Sequence, residues 1–162
     1  MKKAIFAVVL ATVAWTAATR PAEAHCQMPC GIYNDQLRVD LIKEHADTIA
    51  KAMRMITDLS KETPVNYNQV VRWVDTKEHH ANEIQEIVSD YFMTQRIAPG
   101  DTAYAEKIKA LHELLIAAMK CKQTVDPANV QKVRDALNDF EKLYFRAHKT
   151  PAKSSKSLPK KK

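Results

Sequence analysis

Apolar residues recur along the chain in four stretches at the three- and four-residue spacings of a helix face. The first covers about 35–60, with Leu41, Ile42, Ile49, Met53, Ile56 and Leu59 on one stripe and His45 among them; Lys61-Glu62-Thr63-Pro64 ends it. The second covers about 67–96 through Val70, Val74, Ile84, Val88, Tyr91 and Phe92, and Pro99-Gly100 closes it. The third starts near Asp101, read as an N-cap, and carries Tyr104, Ile108, Leu111, Leu115 and Met119. The fourth has Asp126 as cap and Pro127 at the first helical position, then Val130, Val133, Leu137, Phe140 and Tyr144 on one face. Short connections between four amphipathic segments predict an all-α chain, an antiparallel four-helix bundle over residues 34–148. No internal repeat is visible.

Composition supports that class. The chain has 162 residues and only two glycines, too few for the turns of a sandwich, a barrel or a Gly-rich nucleotide-binding fold. Its net charge of +6 is unevenly placed. Residues 1–24 carry Lys2, Lys3 and Arg20 against Glu23, and residues 149–162 hold six lysines and no acid, which leaves the middle slightly acidic. The basic balance belongs to the ends, so it is no argument for nucleic acid as a partner. Residues 149–162, with three Ser and two Pro beside the lysines, cannot bury a core and read as a disordered tail.

The amino terminus reads as a processing signal. Lys2 and Lys3 precede an apolar run from Ala4 to Ala18 broken only by Thr12 and Thr16; Arg20, Pro21 and the small-residue pattern Ala22-Glu23-Ala24 follow. The run is short for a membrane span of about 20 residues. Residues 1–24 are therefore expected to be removed by signal peptidase. The mature chain would be exported, periplasmic or secreted, would begin at His25, and would have no stable membrane insertion.

That cut gathers chemistry at a new chain end: His25, Cys26, Gln27, Met28, Pro29, Cys30, Gly31, Ile32, Tyr33. Cys26 and Cys30 suit a disulfide in an exported protein. Structural zinc wants four side-chain ligands and the segment offers three. A thioredoxin-type pair needs a spacing one residue shorter, and no haem-attachment pattern occurs. A further reading uses the terminus itself. The His25 amine, the Cys26 amide nitrogen and the thiolates of Cys26 and Cys30 make a two-nitrogen, two-sulfur set that suits square Ni(II). The His25 imidazole would remain as a fifth ligand, and such strong donors ease oxidation of the metal.

The segment His-Cys-x-x-Pro-Cys-Gly-x-Tyr over 25–33 resembles the amino-terminal hook of the nickel-containing superoxide dismutases. Weaker similarity continues through Thr76-Lys77-Glu78, Asp90-Tyr91-Phe92 and Val125-Asp126-Pro127. The resemblance implies a redox-cycling nickel ion, one per chain, held by His25, Cys26 and Cys30. It implies that Tyr33 stands at the open axial side and controls access. It also implies superoxide as substrate, dioxygen and hydrogen peroxide as products, and a four-helix bundle assembled as a homohexamer. Asp40 and His80 fall near the family's acidic and basic partners, across a length difference in the second helix. The leader, which looks like an export signal, and Gln27 and Asn34-Asp35 around the turn depart from the family pattern. Outside the hook, Cys121 reads as a small packed residue, His45 as a core histidine, and His79 and His80 as a polar face rather than a second metal site. The rival class is an exported helical metal-binding or interaction protein with a Cys26–Cys30 disulfide and no catalysis.

Overall fold

The computed structural model describes Gln27 and residues 29–149, the last three as backbone only. The leader 1–24, His25, Cys26, Met28 and the tail beyond 149 lie outside the described residues. Within them the chain is all-helical. Helix α1 is Asp35–Leu59, α2 is Tyr67–Glu86, α3 is Tyr104–Gln123 and α4 is Pro127–Lys149. Helix α2 continues without a break into a π-helical segment, Ile87–Arg96. Helix α1 packs on α2 and α3 on α4, and the α2–α3 and α1–α4 contacts close the ring of a four-helix bundle.

Local chemistry sets the helix ends. The Asn34 side chain accepts a hydrogen bond from the Leu37 amide at 3.0 Å, which caps α1 and fixes the direction in which the hook leaves it. Asp126 accepts from the Ala128 amide at 2.9 Å beside Pro127, as the sequence predicts for α4. The start of α3 departs from expectation. Asp101 does not cap it; its carboxylate accepts from the Ala98 amide and closes the Pro99-Gly100 turn, where Gly100 has φ +107°. The helix begins three residues later, after Ala103 in the left-handed region.

The core runs along the bundle axis. Val130, Val133, Leu137, Phe140 and Tyr144 are all buried, so the stripe read for α4 is the buried one. At one end Phe92, Phe140 and Tyr144 form an aromatic cluster, with ring centroids 4.8–5.6 Å apart. Helix α3 is rotated from the predicted stripe: Leu111 is buried, but Tyr104 and Met119 face solvent, and the buried face is Ala110, Leu114, Ala117, Ala118 and Cys121. Helix α2 departs further. Its first half buries nothing, and Tyr67, Val71 and Val74 form an exposed apolar stripe. Lys77 turns inward instead and donates from Nζ to the carbonyls of Cys121 and Lys122 at 2.9 and 2.6 Å, satisfying the otherwise open end of α3. Among the described residues no helix is long and apolar enough to cross a membrane.

Candidate metal centre

Pro29, Cys30 and Gly31 make a bend that leads into Tyr33 and the cap of α1. Gly31 has φ +79°, a conformation that strains any residue with a Cβ, although the space around it is open. Cys30 is an exposed free thiol. Cys121 is the other free cysteine among the described residues, and it is buried in the core, where burial pushes its thiol up to about 11. One sulfur is thus available to a metal; the other is a protonated packing group.

Behind the hook, the described chain builds a dense polar knot. Asp35, the first residue of α1, accepts hydrogen bonds from Tyr91 Oη at 2.7 Å, Tyr144 Oη at 2.8 Å, and both Nε and Nη2 of Arg96 at 2.8 Å. Burial alone would raise the Asp35 pKa; the hydrogen bonds from Arg96, Tyr91 and Tyr144 outweigh it and hold the carboxyl below its ordinary value. Burial, and then Asp35, push the Tyr91 phenol up to about 12, and Tyr144 shifts in the same direction. Both phenols therefore stay protonated and donate. The Arg96 guanidinium also lies over the Tyr33 ring, 4.3 Å from its centroid, and Tyr91 meets Tyr33 edge-on at 5.9 Å. Tyr33 remains 39 % exposed.

An open cleft of about 310 Å³ adjoins the hook, with Gln27 and Pro29 on one side and Arg38, Glu83, Glu86 and Asp90 on the other. Arg38 lies over the Tyr91 ring at 5.1 Å, and its buried Nε has no partner among the described residues. Grooves elsewhere, between α3 and α4 and at the far end of α1, are lined without cysteine or histidine.

Several sequence-predicted residues fall apart in space. Asp40 is exposed and paired with Gln36 and Lys43. His80 is not a solvated face: its Nδ1 meets His45 Nδ1 at 2.8 Å across the α1–α2 interface. Burial lowers the pKa of both rings; beside it, His80 lowers that of His45 and His79 that of His80, while Glu83 and Glu44 act in the opposite sense. Among the described residues, no group of three or more His, Cys, Asp or Glu side chains is gathered to hold a metal ion. His25 and Cys26 lie outside those residues, so of the predicted set only Cys30 and Tyr33 are placed. The sequence reading placed Tyr144 only on the apolar face of α4 and Asp35 only beside the turn, and it passed over Arg96. Asp35 and Tyr144 are 109 residues apart, and no local pattern marks their pairing.

Comparison with known proteins gives these features a context. The sequence model of the nickel-containing superoxide dismutase family matches residues 20–149, a span that takes in the hook segment 25–33. The chain is 27% identical over 126 residues to the nickel superoxide dismutase of Streptomyces seoulensis, covering 78% of this chain and 89% of that protein. It is 26% identical over the same length to the nickel superoxide dismutase of Streptomyces coelicolor. No solved structure matches. With four-fifths of its length matched by the family, the chain belongs to the nickel-containing superoxide dismutases.

Proposed function

We propose that this chain dismutes superoxide to dioxygen and hydrogen peroxide with a nickel ion at a mature terminus created by cleavage after Ala24. The observation that carries the reading is the unbroken His-Cys-x-x-Pro-Cys-Gly-x-Tyr run, starting where the leader's cleavage pattern ends, in a chain the family matches from residue 20. The amine and imidazole of His25, the amide nitrogen and thiolate of Cys26, and the thiolate of Cys30 would hold the metal. Two thiolates with nitrogen donors fit nickel by softness, and the exposed Cys30 thiol is free to serve. When bound, nickel supplies a one-electron couple that accepts an electron from one superoxide and returns it to the next.

The chain's own residues do the rest. Asn34 caps α1 and so aims the hook, while Gly31 permits the turn after Cys30. Tyr33, half-exposed, orders water and limits what approaches the open side. Export to the periplasm or medium follows from the leader, and the homohexamer from the family together with the exposed apolar stripe on α2.

The terminus is the test. Any residue left before His25 turns its amine into an amide and removes a donor. A chain retaining Ala24 is expected to fold with unchanged helical circular dichroism, because the bundle does not use the hook, yet to bind no nickel on elemental analysis and to show no activity. Full activity in that chain would sink this assignment. No nickel in the correctly cut protein, with two oxidised thiols, would favour a disulfide-bonded, non-catalytic role.

A further inference from the structure

Residues five apart on an α-helix point about 140° away from each other. Tyr91 and Arg96 are five apart, and both reach the same carboxylate, that of Asp35. They do so because Ile87–Arg96 is π-helical, with wider turns closed by i→i+5 bonds, the last from the Ile97 amide to the Phe92 carbonyl at 3.0 Å. The wide turn thus delivers the guanidinium to Asp35. A two-point grip fixes the plane of a guanidinium as well as its charge. The guanidinium carbon lies over the ring of Tyr33, two residues before Asp35 in the chain, 4.3 Å from its centroid. Ring and guanidinium are therefore anchored to the same helix end.

We propose that Arg96 is a positioning residue for the reaction: gripped by Asp35, its guanidinium fixes the Tyr33 ring at the entrance to the hook. This rests on the reading of Tyr33 as the residue that controls access. Lysine cannot substitute, because an ammonium is a compact point charge without the paired, fixed donors that grip Asp35. Tyr91, edge-on to the same ring, closes a second side.

Two measurements test it. In the metal-free protein, nuclear Overhauser contacts are expected between the Tyr33 ring protons and the Arg96 δ-methylene. They should vanish in Arg96→Lys while the helical spectrum stays. In the nickel-loaded enzyme, Arg96→Lys is expected to keep its nickel but change the azide inhibition constant about threefold or more, the worth of a partly exposed cation–π contact. The control Arg134→Lys, the same exchange at an exposed pair with Asp47, should leave it unchanged. In a Tyr33→Leu background the effect of Arg96→Lys should disappear. An equal effect in that background would mean that Arg96 meets the anion directly, and would overturn the proposal. So would absence of the contact in the native protein, or loss of nickel in Arg96→Lys. If Tyr33→Leu by itself leaves azide inhibition unchanged, the access reading of Tyr33 fails, and the proton contact still decides whether the lock exists.

Discussion

Two cysteines of the same chain show how environment sets the use of a thiol. Cys30 follows the proline of the hook and is open to solvent, whereas Cys121 sits in the core with its thiol pushed up to about 11 by burial. Softness matters only where the sulfur can ionise and reach the metal. Cys30→Ser is therefore expected to lose nickel and to lower activity by more than about 100-fold, beyond what the removal of a ligand's supporting partner costs. Cys121→Ser should retain full activity per nickel, and should lower stability by about 1–2 kcal/mol because a hydroxyl replaces a buried apolar atom. Nickel content after dialysis and urea unfolding of the same samples separate the two effects. If Cys121 proved essential and Cys30 dispensable, the ligand assignment would be wrong. Asp35 makes the complementary point for charge. A carboxylate with four good donors has its pKa held below the ordinary value although burial acts to raise it.

Helices carry the next level, and their junctions hold the titrating groups. The α1–α2 seam closes through His45 and His80, whose Nδ1 atoms are 2.8 Å apart. One ring must donate there and the other accept, so the contact needs at least one neutral imidazole. Both pKa values are lowered on folding, chiefly by burial. The unfolded chain then binds protons near the ordinary value of 6.5 while the folded chain resists them. Their contribution is whole above that pH and falls as pH drops below it towards the folded values. Thermal unfolding of the metal-free protein is expected to show this loss between neutral and mildly acidic pH, and His80→Gln should flatten it. An unchanged slope would show that other groups set the acid limit. The same elements explain what was legible in the sequence. Helix α4 is readable because large apolar residues fill its buried face and Asp126-Pro127 marks its start. Helix α3 is misread because its buried face is mostly Ala110, Ala117, Ala118 and Cys121, small residues that carry little periodic signal, while Tyr104 and Met119 stand at its margins. Lys77 is invisible as a core residue, since its buried ammonium is made tolerable by the open carbonyls at the end of α3 together with the neighbouring Glu78 carboxylate at 2.6 Å. The hook is legible as a local run, whereas the knot that braces it joins residues from α1, the π-helical segment and α4.

At the scale of the whole molecule, the first half of α2 is the anomaly. Tyr67 and Val71 are 73 % and 64 % exposed, Val74 continues their line one turn on, and no residue of that half is buried. The amphipathic pattern is real, but the face it makes points away from this chain's own core. An apolar stripe on a slightly acidic bundle suits contact with another copy of the same chain, which would remove it from water. Assembly through this face is therefore expected to be sensitive to a single charge. Val71→Asp would place a carboxylate in an apolar contact, at a cost of several kcal/mol, or roughly a hundredfold or more in dissociation constant. Light scattering or native mass spectrometry at micromolar concentration should find a hexamer for the native chain and smaller species for Val71→Asp. Helical content should stay unchanged, because Val71 contributes nothing to the monomer core. A hexamer of unaltered mass and stability in that variant would move the interface elsewhere, with exposed Ile32 on the hook as the next surface to change. Dissociated Val71→Asp that still binds one nickel per chain would further show that each hook is complete within its own bundle.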